Sequence, residues 1–111
     1  MSEPREFTSD EVRDKVLQHV ASMSEYWATV KLEPERDTVQ QRLDGLAFSI
    51  LAMLDGASVD VPAFVVSSCP HETDKDYCQD KGENWFPQFP DVEVCDIAGG
   101  LHELYHKVTN R

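Results

Sequence analysis

The sequence predicts an α+β fold made of an N-terminal antiparallel helical hairpin, a small antiparallel β-sheet, a long irregular loop and a C-terminal helix. Three patterns support this prediction. Residues 8–30 and 37–56 repeat apolar side chains at three- and four-residue steps, which is typical of amphipathic helices. Residues 59–68 are rich in β-branched side chains, which favours a strand. Residues 69–91 contain three prolines and follow neither period.

The first helix is predicted to begin after Thr8, because Thr8 and Glu11 have the spacing of a capping box. Its apolar stripe consists of Val12, Val16, Val20, Met23, Trp27 and Val30. The helix should end before Pro34, since a residue that precedes proline avoids the helical conformation. We expect residues 1–7 to form a flexible N-terminus of the single domain 1–111.

The second helix, predicted over residues 37–56, has the longest unambiguous apolar period in the chain. Asp37 and Gln40 have a capping-box spacing at its start, and Gly56 suits the left-handed position after its end. The link between the first and second helices is short. A short link predicts that they pack as an antiparallel hairpin.

Two short strands are predicted, 59–68 and 91–95, and we expect them to pair antiparallel. Pro62 places the first of them at a sheet edge or near a strand start. Asp96 is then the expected N-cap of a last helix over residues 97–108. Gly99 and Gly100 would lower the helix propensity of its first turn, which suggests that another backbone approaches closely there.

The loop 69–91 carries the features that point most directly to binding. Residues 73–80 could form a short helix, and Trp85, Phe86 and Phe89 alternate with prolines further on. This aromatic segment either covers the core or offers anchors to a partner, because large aromatic side chains dominate binding hot spots. A two-stranded sheet is marginal by itself, so we expect a homodimer formed through the aromatic segment or the sheet edge.

The formal net charge of −11, from 21 acidic and 10 basic residues, restricts the partners. Direct binding to nucleic acid or to an anionic membrane needs clustered basic residues, so we expect neither. The acidity serves either solubility or the docking of a basic partner, with mimicry of nucleic acid as the extreme form. Three cysteines without a tight spacing argue against a disulfide framework. With no signal peptide or apolar span, the sequence predicts a cytoplasmic protein.

One motif suggests chemistry. Residues 102–106, HELYH, fit the pattern H-E-x-x-H, in which two histidines four residues apart on a helix bind one zinc ion and the glutamate activates a zinc-bound water. These five residues resemble the signature of zinc-dependent peptidases of the zincin type. The resemblance implies that His102 and His106 are metal ligands, that Glu103 is the general base, and that zinc is the cofactor.

A simpler interpretation is that these residues are polar side chains on a helix surface. Only five residues follow His106, so a third ligand would have to come from upstream, from Cys69, His71, Cys78 or Cys95. At about 100° per residue, both histidines lie roughly 110–150° from the centre of the apolar face. We therefore expect them to face solvent or a partner.

The leading hypothesis is a non-enzymatic interaction or accessory protein that acts through the aromatic segment and an acidic surface, and that needs no cofactor. The alternatives are a small zinc-dependent hydrolase and an acidic inhibitor of a basic protein.

Overall fold

The computed structural model of the chain describes residues 4–87 and 96–109. These two ranges contain four α-helices: α1 (Ser9–Thr29), α2 (Val39–Leu54), α3 (Asp74–Asp80) and α4 (Leu101–Thr109), with a 3₁₀ turn at Pro34–Arg36 before α2. The described ranges contain no β-strand and no sheet. The prediction of an α+β fold with a small antiparallel sheet is therefore wrong.

The predicted antiparallel hairpin of α1 and α2 is confirmed. Trp27, near the end of α1, donates its indole N–H to the hydroxyl of Ser49 at 2.9 Å. Val30, three residues later, accepts through its carbonyl from the guanidinium of Arg42 at 2.9 Å. A position just after α1 thus meets an earlier position in α2 than Trp27 does, which is the order of an antiparallel pair.

The start of α1 is also as predicted. The Thr8 hydroxyl accepts from the Glu11 amide and the Glu11 carboxylate accepts from the Thr8 amide, so both halves of the capping box are present. The Glu11 carboxylate also accepts two hydrogen bonds from Arg5. The Arg5 guanidinium and the Thr8 amide lower the pKa of Glu11 to about 2.

The start of α2 differs from the prediction, and its end agrees with it. The N-cap is Thr38, whose hydroxyl accepts from the Gln41 amide, and not Asp37, whose carboxylate pairs with Arg42 instead. The end is as predicted: Gly56 has a φ of 89°. Its amide and that of the next residue donate to the carbonyls of Met53 and Ala52, the pattern of a Schellman motif.

Residues 59–68 are not a strand because their backbone groups bond elsewhere. The Phe64 amide donates to the carbonyl of Leu54 at the end of α2, at 3.1 Å. The Val66 amide donates to the side chain of Asp96, and the Val66 carbonyl accepts from Ile97. β-Branched residues favour extended backbone, but a strand also needs a ladder of partners. The predicted partner, 91–95, lies outside the described residues.

The last helix begins four residues later than predicted. Gly99 and Gly100 have φ values of 92° and 127° and precede it. Glycine adopts such left-handed conformations without steric strain. A Cβ built on either residue would meet nothing within 4 Å. The backbone conformation therefore explains the two glycines, and the expected close approach of another backbone does not. Asp96 is not the N-cap, because its carboxylate accepts from the amides of Val66 and Ala98 instead.

The long segment 69–91 is less irregular than the α+β prediction implied. Its residues 74–80 form α3, as the short-helix prediction stated, with Asp74 and Asp76 in the first turn. Residues 88–91, including Phe89, lie outside the described residues. None of the described helices has both the length and the apolar composition needed to cross a bilayer.

Three of the described helices pack against one another. α2 lies between α1 and α4 and contacts both. Among the described residues, only Met53 and Val61 are buried hydrophobic side chains, with 2% and 4% of their surface exposed. The molecule measures 53 × 49 × 18 Å along its principal axes.

Candidate functional sites at the α2–α4 junction and in an aromatic cleft

Asp55 joins the end of α2 to the start of α4. Its side chain is only 3% exposed. One carboxylate oxygen accepts from the Gly99 amide at 2.6 Å, and the other accepts from the His102 amide at 3.0 Å and from His102 Nδ1 at 2.5 Å. The first amides of a helix lack partners within the helix. Asp55 therefore caps α4 from a position 47 residues upstream of His102.

The charge of Asp55 suits this position. Burial by itself raises the pKa of the carboxyl, but the hydrogen bonds from the His102 side chain and from the backbone of His102, Gly99 and Gly100 outweigh it and hold the pKa well below its usual range. A carboxylate at the positive end of the α4 dipole is also favourable. Asp55 is thus ionised at neutral pH.

His102 is half-buried, because its ring is held at this junction. An ionised carboxylate can only accept hydrogen bonds, so the Nδ1 of His102 carries the proton that is donated to Asp55. The ring meets Phe48 edge-on, with centroids 5.3 Å apart and an interplanar angle of 81°. The side chain is 21% exposed, so it faces solvent less than its helical phase predicted.

The other two residues of the H-E-x-x-H motif are more exposed. His106 lies on the same Phe48 ring, 5.1 Å between centroids. Glu103 is 78% exposed, and its carboxylate is 4.0 Å from His102 Nε2. The structure therefore places all three residues on one side of α4, with the two histidine rings both against Phe48.

A third metal ligand does not join them in the part of the chain that is described. No group of three histidine, cysteine, aspartate or glutamate side chains there could hold a metal ion. Cys69 and Cys78 are free thiols, and Cys95 lies outside the described residues. Metal binding by His102 and His106, with Glu103 as the base, stays a prediction.

A cleft of about 680 Å³ lies between α1, α2 and α4. Its lining combines three aromatic side chains with polar ones: Trp27, Leu32, Arg36, Gln41, Asp44, Gly45, Phe48, Tyr105, His106 and Thr109. Such a volume, an apolar wall and a few polar groups are typical of ligand sites.

Two of the aromatic walls are fixed by specific contacts. The Trp27 ring lies against Gly45, where an added Cβ would fall 2.5 Å from ring atoms. Tyr105 donates its hydroxyl to Asp44 at 2.8 Å, and Asp44 also accepts from Gln40 at 3.1 Å. The Trp27 wall therefore depends on the glycine at position 45, and the Tyr105 wall depends on a hydrogen bond between α2 and α4.

The predicted partner-binding residues are at the surface. Trp85 is 44% exposed and Phe86 is 69% exposed, so neither ring is buried as a lid over the core would be. The ammonium of Lys75 lies 5.6 Å from the centroid of the Trp85 ring. The Ser68 hydroxyl donates to the Pro87 carbonyl at 2.6 Å and holds the segment near residue 68. The third predicted residue, Phe89, lies outside the described residues.

A second apolar surface lies on α2 itself. Helical geometry places six of its apolar residues roughly a third of a turn from both the α1-facing and the α4-facing residues. We call them the outer flank: Val39, Leu43, Leu46, Ala47, Ile50 and Leu54. Val39 and Leu43, at the start of the flank, are 76% and 55% exposed, and the other four are half-buried.

Sequence reasoning missed the main elements of both sites. It gave Asp55 no role beyond its place in the predicted helix 37–56, and it did not bring Trp27, Phe48 and Tyr105 together. The one available signal was the pair Gly99–Gly100, whose unusual position marks the loop that folds over Asp55. Comparisons with protein-family models, with curated proteins and with solved structures find no match to this chain.

Proposed function

We propose that this chain is a non-enzymatic interaction protein that completes its apolar core by binding a second polypeptide. The observation that carries the proposal is the small extent of its own core. Met53 and Val61 are the only buried hydrophobic residues among those described, whereas many large apolar side chains are more than half exposed, including Phe7, Leu17, Val39, Leu43, Phe86 and Val108.

The dimensions support the same proposal. The radius of gyration is 18.2 Å, whereas a compact domain of this length would have about 13 Å. Stable domains bury the apolar face of each helix against another layer. The described residues bury few apolar side chains against one another, so part of that second layer would come from another chain.

Two surfaces are the candidates for this association. The outer flank offers a helical apolar stripe of the kind that docks against another helix. The segment at Trp85 and Phe86 offers aromatic anchors of the kind that dominate interfaces. A homodimer is the simplest arrangement, since both surfaces exist on every copy. Two copies of charge −11 repel each other, so added salt should strengthen self-association.

Light scattering of the original protein and of Trp85→Ala measures their mass in solution and tests the proposal. The binding of any partner that co-purifies is measured for the same two proteins. We expect Trp85→Ala to keep its helical content and to lose association. Tyr77→Ala is the matched control, because Tyr77 is also an exposed aromatic covered by a lysine, with Lys81 at 4.6 Å. Unchanged association in Trp85→Ala would contradict the role of the aromatic segment.

A zinc-dependent hydrolase is a second candidate, and one observation favours it. Histidines that bind metals usually donate their other ring N–H to a carboxylate, and His102 makes such a bond with Asp55. The test is elemental analysis of protein purified without a histidine tag. His106→Ala is the informative variant, because it leaves the Asp55 junction intact.

If the chain is a hydrolase, zinc should be stoichiometric and lost in His106→Ala, and Glu103→Gln should keep the metal while losing hydrolysis of a peptide substrate. Protein that takes up no zinc when zinc is supplied would remove this candidate.

A further inference from the structure

We propose that the aromatic cleft between α1, α2 and α4 binds a basic peptide segment of a protein partner, with a lysine or arginine side chain laid against Trp27 and Phe48 and its charge near Asp44. This inference rests on the proposed function, since it names the chemistry of the partner. It concerns a different surface from the outer flank and the Trp85 segment.

The walls of the cleft suit a cationic side chain with an apolar stem. Trp27, Phe48 and Tyr105 all line the cleft, and a cation over the face of an aromatic ring is attracted by the ring's electron density, most strongly at tryptophan. The methylene groups of lysine and arginine pack on apolar surface while their charges stay near polar groups. The cleft of about 680 Å³ has room for several residues of an extended peptide.

The charges around the cleft favour a cation over an anion. The link before α2 carries Glu33 and Glu35 beside Arg36, and the carboxylate of Asp44 is part of the cleft wall. Arg42 lies close in sequence, but it is engaged by Asp37 and by carbonyls at the end of α1. Arg36 is the one permanently cationic side chain of the lining. The net charge of −11 adds long-range attraction for a basic partner.

The chain already pairs lysines with aromatic rings elsewhere on its surface. Lys15 lies 4.7 Å from the Phe7 ring, Lys75 lies 5.6 Å from the Trp85 ring, and Lys81 lies 4.6 Å from the Tyr77 ring. Within the described ranges, no lysine lies over Trp27 or Phe48. The Trp27 ring, and the part of the Phe48 ring that His102 and His106 leave uncovered, line the cleft and can meet a cation supplied by another chain.

Fluorescence of Trp27 tests the proposal directly. The protein carries Trp85→Phe, so that Trp27 is the remaining tryptophan, and it is titrated with a terminally blocked decalysine peptide. We expect a saturable change in Trp27 emission that weakens as salt is added. A decaglutamate peptide should produce no change.

Variants separate binding in the cleft from general attraction to an acidic protein. Phe48→Leu should weaken decalysine binding about fivefold, the size of one cation–π contact. Asp44→Asn should weaken it about threefold, as expected for removal of one nearby charge. Asp14→Asn is the matched control, because Asp14 also accepts from a glutamine on its own helix and lies away from the cleft. It should leave the affinity within about twofold.

Arg36→Gln gives the sign of the ligand charge without disturbing the fold, since Arg36 is exposed. It should tighten decalysine binding about twofold by removing a like charge. Weaker binding in Arg36→Gln, an equal loss in Asp14→Asn and Asp44→Asn, or a response to decaglutamate would overturn the proposal. Equal affinity for free spermidine would also overturn it, because the site would then select a small polyamine.

The result of the decalysine titration can be distinguished from the result of the self-association test. Self-association is measured without peptide and should strengthen with salt, whereas decalysine binding should weaken with salt. A protein that associates but does not bind decalysine in the cleft would refute this inference and leave the proposed function standing.

Discussion

The two ends of α2 carry similar apolar residues, but these residues are buried at one end and exposed at the other. At the C-terminal end, Met53 is 2% exposed and the carboxylate of Asp55 is 3% exposed. At the N-terminal end, Val39 and Leu43 are 76% and 55% exposed. One end is a finished interior with satisfied polar groups, and the other is an apolar surface without a covering layer among the described residues.

Under the proposed function, this difference separates a part of α2 that is closed by contacts within the chain from a part that would contact a partner. The C-terminal end is closed by local and distant contacts together, namely the Schellman turn at Gly56 and the capping of α4 by Asp55. The N-terminal end has its cap at Thr38, the ion pair of Arg42 with Asp37 and the hydrogen bonds of Arg42 to carbonyls at the end of α1, but it has no buried side chain. Substitutions at the two ends should therefore have opposite consequences for stability and for association.

Asp55→Asn should have a large effect on stability. The amide N–H₂ would face the His102 donors in place of a carboxylate oxygen, and hydrogen bonds to a charged group contribute about 1.5–3 kcal/mol. We expect the free energy of unfolding in urea to fall by about 2–3 kcal/mol. Asp60→Asn is the control, since Asp60 is exposed. An equal loss of stability in both variants would show that the hydrogen bonds of Asp55 do not stabilise the junction between α2 and α4.

The same carboxylate predicts how stability depends on pH. The folded-state pKa of Asp55 is lowered, so its contribution is present above the unfolded-state pKa of about 4 and is lost as the pH falls below it. The stability difference between the original protein and Asp55→Asn should be full at neutral pH and shrink below about pH 4. Urea unfolding of both proteins at several pH values measures this difference. A difference that grows on acidification would contradict the lowered pKa.

The sequence predicted those elements that rest on local chemistry. The capping box at Thr8 and the left-handed glycine at position 56 depend on residues within one helical turn of each other, and both were confirmed. The helical hairpin followed from two apolar periods and a short link. These features need no knowledge of the rest of the fold.

The failures concern contacts between distant parts of the chain. The β-branched run at 59–68 has the local preference of a strand, but its amides donate to Leu54 and Asp96. Asp55 reaches His102 across 47 residues, and no periodicity indicates such a bond. The cleft likewise joins Trp27, Phe48 and Tyr105 from three helices, which sequence patterns assign only to apolar faces.

Gly45→Ala tests the middle of α2, where the helix meets α1. Alanine favours a helix over glycine by about 1 kcal/mol, but the new methyl group would lie 2.5 Å from the Trp27 ring. Overpacking of this kind destabilises by about 1–3 kcal/mol. We therefore expect a net loss of about 1 kcal/mol together with a shift in Trp27 emission, because the indole would be displaced from Ser49. A gain in stability would show that the ring moves aside freely.

Leu43→Gln should have the smallest effect on stability and the clearest effect on association. Leucine and glutamine have similar helix propensities, and Leu43 is 55% exposed, so the free energy of unfolding of the isolated chain should change by less than about 1 kcal/mol. Association through the outer flank should be weakened, as measured by light scattering over a range of concentrations.

Met53→Gln is the matched substitution at the other end of the helix. Met53 is 2% exposed, and a buried amide without partners costs about 1–3 kcal/mol in addition to the lost packing. We expect Met53→Gln to destabilise the fold strongly, whereas Leu43→Gln should mainly lower the extent of association in solution. If Leu43→Gln unfolded the chain as Met53→Gln does, the outer flank would belong to the core, and the contrast between the two ends of α2 would be one of degree only.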